Sequence, residues 1–176
     1  VRDEIESTDA RFLLTCSAGG VMPELSSSFY DGVYSNTNWV FGVSIKPTEA
    51  PLVNFVDGTS TTDHTVYFRG AQVDAGEIIN SFVVTGSINA AQAGYGFLTG
   101  SKRLYVGAHR TNFTGTLLNR SDVRVGFCRY WLQDLEIDLL EDHGRDVHNY
   151  GTKFPSRSPY LFEETQRNNS EFLELD

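Results

Sequence analysis

The chain has 176 residues, enough for one domain with a real core, and is rich in Thr, Val, Phe and Tyr with 16 glycines, a composition that favours β structure. A formal net charge of −9 argues against nucleic acid or an anionic membrane as the main partner. No apolar run approaches the roughly 18 residues that a membrane-spanning helix needs.

The opening VRDEIESTDARF has no initiator Met, basic n-region or apolar h-region, which predicts a segment of a longer chain with no signal peptide in view. RFLLTCS reads as a first strand, ended by AGG, and SSSFYDGVYS carries an Asp-Gly turn. NWVFGVSIKP alternates with period two. Trp39, Phe41, Val43 and Ile45 fall on one face and Val40, Gly42 and Ser44 on the other, with Pro47 ending the run. PLVNFV leads into the polar loop DGTSTTD, where Asp57 and Asp63 offer hard oxygen ligands suited to calcium. A plain hairpin loop explains the same residues.

TVYFRGAQV, EIINSFVVTGSI, RLYVGAHR and DVRVGFCRYW continue the strands, with glycine-containing connections between most of them. Many short strands at this interval predict an antiparallel sandwich or barrel. Between Ser101 and Tyr130 lie Lys102, Arg103, Arg110, Arg120, Arg124 and Arg129, against the single acid Asp122, while acids crowd both ends. That basic stretch suits acidic sugars or an acidic protein; cross-strand pairing and solvation are the plainer account of it. Arg110, Asn112, Arg129 and Trp131 are its candidate ligand-binding residues.

Cys16 and Cys128 read as two buried free thiols, with a bridge between terminal strands as the alternative. Three Asn-x-Ser/Thr sequons occur, a pattern common by chance. Neither the cysteines nor His64, His109, His143 and His148 show zinc-ligand spacing. There is no Gly-x-Ser-x-Gly elbow, and no glycine-rich loop followed by Lys-Ser/Thr.

LEIDLLEDHGR, residues 135–145, holds the most pointed question. Glu136, Asp138 and Glu141 spell the Glu-x-Asp-x-x-Glu spacing found on the catalytic strand of a family of β-sandwich glycoside hydrolases. As a strand, the stretch puts Glu141 on the face opposite Glu136 and Asp138. A bulge would be needed to bring two carboxyls within the roughly 5–5.5 Å that a retaining pair requires. As a helix it is coherent. Asp134, Asp138, Glu141 and Asp142 share one arc, Ile137, Leu139, Leu140, His143 and Val147 the other. Asp134 would be the N-cap, Glu141–Arg145 an i,i+4 pair, and Gly144 the stop. This reading turns the acids out to water.

Three motifs carry a family resemblance. WVFGVSIKP resembles the early strand of laminin-G-like, concanavalin-A-like modules, KRLYVGAHRTNFTGTLLNRSDVRVGFCRYW their late hairpin, and LQDLEIDLLEDHG the short helix after it. The match spans about Asn38 to Gly144 and is most similar to variants embedded in structural proteins of tailed bacteriophages, in which GAHRTNFTG, RYWL and a closing NYG recur. It implies an all-β, antiparallel two-sheet jelly-roll sandwich with one short C-terminal helix. The domain would occupy residues 1–152, followed by an acidic, Pro-interrupted tail or linker at 153–176. It also implies a non-enzymatic module in a virion, or alternatively at a cell surface or outside the cell. Such a module packs on other virion or surface proteins, or on copies of itself, or binds host glycans, with calcium at a loop edge in many relatives. A soluble lectin-type domain is the second reading, and a β-glucan hydrolase using Glu136, Asp138 and Glu141 the third.

Overall fold

The computed structural model describes residues 8–15, 22–49, 53–54, 59–60, 62–93, 105–111, 114–120, 123–131, 134–146, 148 and 171–175. The chain is mostly β with antiparallel pairing throughout, consistent with an all-β sandwich carrying one nine-residue helix. In order it runs β1 (Leu13–Leu14), β2 (Leu25–Ser26), β3 (Asn38–Pro47), β4 (Val53–Asn54), β5 (Thr59–Ser60), β6 (His64–Asp74) and β7 (Glu77–Ile88). There follow α1 (Ala90–Ala93), β8 (Ala108–Arg110), β9 (Leu117–Arg120), β10 (Cys128–Trp131), α2 (Ile137–Arg145) and β11 (Glu171–Leu175).

The centre is a three-stranded sheet in the order β3-β6-β7. These are the three runs with the longest uninterrupted β-branched and aromatic content, so the sequence marks them most clearly. Among the described residues, RFLLTCS, PLVNFV, RLYVGAHR and DVRVGFCRYW contribute short strands. SSSFYDGVYS forms a bridge from Tyr30 to Ala10 and then a turn, with Gly32 at φ 65°. β2, β5, α1, β9 and β11 went unread, and β11 falls within the segment expected to be a tail.

The period-two alternation of β3 divides the sheet into two working faces. On one, Phe12 from the N-terminal segment lies 4.6 Å from Trp39, 4.7 Å from Phe41 and 6.0 Å from Phe82, ring centroid to ring centroid. Beside them Leu25, Val66, Phe68 and Ile88 are buried together. The Trp39 indole donates to Thr37 Oγ1 at 3.1 Å, which satisfies the one polar atom of that ring. On the other face Val40, Ala71, Val73 and Leu140 are buried, with Ile137 and Phe127 against them. Here α2 covers the sheet. Burying one side chain such as Leu140 contributes about 1.5–3 kcal/mol, so this seam helps to hold the helix.

The β6–β7 hairpin closes through Ala75 and Gly76, at φ 49° and 84°, between the paired residues Asp74 and Glu77. Two successive positive φ values are what a two-residue hairpin turn with the strand's own twist demands, and Asn-Gly is the preferred pair. Alanine in the left-handed region is strained by about 1 kcal/mol. Ala75→Asn is therefore expected to raise stability by about 0.5–1 kcal/mol, read as a higher urea midpoint with an unchanged m value. A lower midpoint would contradict the turn assignment.

Candidate functional site

β6 runs through the middle of the sheet and carries a charged residue, Arg69, in an otherwise apolar run. This residue pairs with Gly42 on β3. Arg69 is only 2% exposed, so its charge requires a partner. Asp134 supplies it, just before α2, with Oδ1 accepting from Arg69 Nη1 at 3.0 Å. Ser44 Oγ accepts a second bond from Nη1 at 2.6 Å, and the Tyr67 ring centroid lies 4.5 Å from the guanidinium carbon.

Lys46, on the same face of β3, completes the cluster. Its Nζ reaches Asp134 Oδ2 at 2.7 Å and Glu136 Oε1 at 2.8 Å. Glu136 Oε2 is also 3.7 Å from Arg69 Nη2. Two cations and two carboxylates thus balance, grading from buried Arg69 and Asp134 to a Glu136 side chain that is 67% exposed. Burial pushes the Asp134 carboxyl up, but hydrogen bonds from Lys46 and Ser44 and the charge of Arg69 outweigh it, leaving its pKa below the usual aspartate value. Hydrogen bonds to Asp134 and then Glu136 raise the Lys46 ammonium above its ordinary value.

This geometry corrects two details of the sequence reading. Asp134 does not cap the helix. Glu136 holds that position, with φ −66° and ψ 162° and no side-chain capping bond, and Asp134 turns inward because Arg69 requires an anion. The acids of the stretch are consequently not all solvated. Gly144 is also not the stop, since α2 continues to Arg145 with Asp146 as its C-cap. A Cβ built on Gly144 would stand 2.7 Å from Val73 Cγ2 and 2.8 Å from Val40 Cγ1. The glycine is there because the helix backbone touches the sheet.

The remaining acids of the stretch behave as helix-surface residues. Asp138 is exposed. Glu141 Oε2 lies 4.0 Å from Arg145 Nη2, the expected i,i+4 pair, and Asp142 Oδ1 lies 2.9 Å from Arg145 Nη1. Glu136, at the extended N-cap, pairs with Lys46, whereas Glu141, within the helix, pairs with Arg145. The structure therefore uses the acidic stretch to dock a helix.

Of the candidate ligand-binding residues, Arg110 is exposed at the end of β8, with Nη1 3.4 Å from the Gly115 carbonyl. Arg129 on β10 is half-buried, its guanidinium carbon 4.7 Å from the Phe127 ring centroid. Its Nη1 donates to His143 Nδ1 at 2.9 Å, which places the proton of the neutral imidazole on Nε2. Arg110 and Arg129 belong to separate two-stranded sheets, β8–β9 and β10–β11. Trp131 lies in β10 opposite Glu171, although its side chain is outside the described residues, as is Asn112.

Asp63 Oδ1 accepts from the backbone N–H of Ala90 at 3.0 Å, and its carbonyl accepts from Thr48 N and Oγ1. Asp57 lies outside the described residues. Among the described residues no three His, Cys, Asp or Glu side chains are grouped to hold a metal ion. Cys128 is a free thiol at half-burial, and Cys16 lies outside the described residues.

The sequence reading missed the Arg69–Asp134 pair. Its signal was an arginine inside TVYFRGAQV, since a charge in a central apolar strand calls for an opposite charge elsewhere in the chain. Comparisons with protein-family models, curated proteins and solved structures return no match to this chain.

Proposed function

We propose that the chain is a non-enzymatic structural or adhesion module of a larger protein, of the kind built into phage virions. It works by packing on neighbouring proteins or by holding host-surface glycans. The observation that carries this reading is the commitment of Asp134 and Glu136 to Arg69 and Lys46, with Glu141 directed to Arg145. Carboxylates held in ion pairs on a docked helix suit a rigid scaffold, whereas a glycosidase needs one raised carboxyl facing another across a substrate.

The fold family and the virion setting of this proposal rest on the resemblance of the sequence motifs to laminin-G-like modules. A soluble lectin-type domain is the second reading, favoured by Tyr130 and Arg110 standing exposed on strands of the basic stretch. Exposed aromatic rings and guanidinium groups are both common in sites that hold polar ligands.

Assay of β-glucans with the wild type and Glu136→Gln is expected to give no sugar release from either. Turnover by the wild type that disappears in Glu136→Gln would contradict the proposal, because a nucleophile cannot be removed without loss of the reaction. A glycan array, read with and without added Ca²⁺, separates the two binding modes. Retention of defined glycans supports the adhesive one, and an empty array leaves protein packing.

A further inference from the structure

β7, twelve residues from Glu77 to Ile88, lies at one end of the sheet order β3-β6-β7. Among the described residues it pairs with β6 alone. Its other edge presents backbone N–H and C=O groups with no ladder partner among those residues, which is a template for a further strand.

The side chains of β7 do nothing to blunt that edge. From Asn80 to Ile88 there is no charge and no proline. The register shift in the β6–β7 pair falls at Gln72/Val73, beside the turn and outside this run. β3, at the opposite edge, is built differently. It ends in Lys46 and Pro47, and Lys46 is committed to Asp134 and Glu136. Charge and proline are what keep a sheet edge from pairing. On the face where α2 docks, the residues buried with Leu140 are Val40, Ala71 and Val73, which belong to β3 and β6. β7 is left with Ser81, Val83, Thr85 and Ser87 exposed at every second position, Val83 by 46%.

We propose that the β7 edge pairs with the β7 edge of a second copy of this chain, antiparallel about a two-fold axis at Val83, joining two three-stranded sheets into one. The inference rests on the assembly reading above and gives that reading a partner. What selects a second copy is the match of the strand to its own reverse. An axis normal to the sheet at Val83 sets Val83 against the partner's Val83, Ser81 against the partner's Thr85 and Phe82 against the partner's Val84. Asn80 then meets the partner's Gly86. β-branched side chains, a pair of hydroxyls and an aromatic beside a β-branched residue are favourable cross-strand neighbours. Each copy carries a net charge of −9, yet none of it lies on this run, so the seam brings no like charges together. Such an isologous contact closes after two copies. An edge pair of this length buries less than the roughly 1,200–2,000 Å² of a standard interface. Association is therefore weak in solution and strengthens where an assembly holds copies side by side.

The test is sedimentation of the full chain across about 1 μM to 1 mM, the span suited to a small interface. The wild type is expected to pass from monomer to dimer. Val83→Lys is expected to remain monomeric throughout, because it sets two ammonium groups opposite one another at the axis. Position 83 is exposed, so the lysine leaves the fold intact, and an unchanged circular dichroism spectrum checks this. A wild type that stays monomeric overturns the proposal, as does a dimer that survives Val83→Lys.

A second measurement reads the register without that variant. Val83→Cys and Ser81→Cys, exposed on the same face, are oxidised separately by an added disulfide reagent that takes up two electrons and two protons per bond formed. Thiols at position 83 meet across the axis. Those at position 81 stand about 13 Å apart, four residues along the strand. A bridged peptide joining position 83 to position 83 is expected, with none joining 81 to 81. Equal bridging at both positions, or none at 83, refutes the pairing. Neither readout depends on hydrolysis, so monomers without sugar release sink this inference alone, whereas sugar release lost in Glu136→Gln sinks the proposed function.

Discussion

Asp134→Ala is expected to lower unfolding stability by about 3–5 kcal/mol, the range for removing one member of a buried ion pair. The side chains of Arg69 and Asp134 are 3% and 7% exposed, so water does not replace the lost partner. Glu136 lies 3.7 Å from Arg69 Nη2 and offsets a little of the loss, which puts the expected value near the lower end. A cost below about 1 kcal/mol, as for a surface pair, would show that the cluster does not hold α2.

The same pair sets the behaviour in acid. The Asp134 pKa is depressed on folding, so its contribution is complete above the ordinary aspartate value of about 3.9 and is lost as pH falls through the lower, folded value. Stability of the wild type is expected to fall more steeply below about pH 4 than that of Asp134→Asn, which has no proton to take up there. The gap between the two narrows with acid. A gap that widened instead would reverse the sign of the linkage.

Gly144→Leu is the second large effect, expected to cost about 3 kcal/mol through overpacking. The mildest change, Gly144→Ala, already pits two terms against each other. Alanine favours a helix over glycine by about 1 kcal/mol, but its Cβ would meet Val73 and Val40 at 2.7 and 2.8 Å. Those contacts are with branched side chains already fixed in the seam, so the overpacking term wins and Gly144→Ala is also destabilising. Thermal unfolding of the two variants checks this, and a rise in Tm for Gly144→Ala would mean that α2 stands away from the sheet.

The elements that could be read in advance share a property: their signals are local. The alternation of Trp39, Phe41, Val43 and Ile45 identifies β3 and its faces, and the spacing of Ile137, Leu140 and the acids identifies a helix. What escaped was non-local. Nothing near Asp134 in sequence says that Arg69 lies beneath it, so the N-cap assignment rested on residue type alone. Gly144 looked like a terminator for the same reason, because its actual constraint comes from Val40 and Val73 on two distant strands. β11 was hidden by the polar composition around it, since EFLEL gains strand character only from β10 opposite. Of the candidate ligand residues, Arg110 and Arg129 were grouped by sequence proximity, yet they stand on separate sheets.

A double-mutant cycle on Arg69→Met and Asp134→Leu tests most directly the view that the acidic stretch anchors a helix through a buried charge. The account predicts that the two substitutions are strongly coupled, by about 2–3 kcal/mol, with the double variant more stable than either single one. Coupling within about 0.5 kcal/mol of zero, the additivity expected of distant sites, would contradict it.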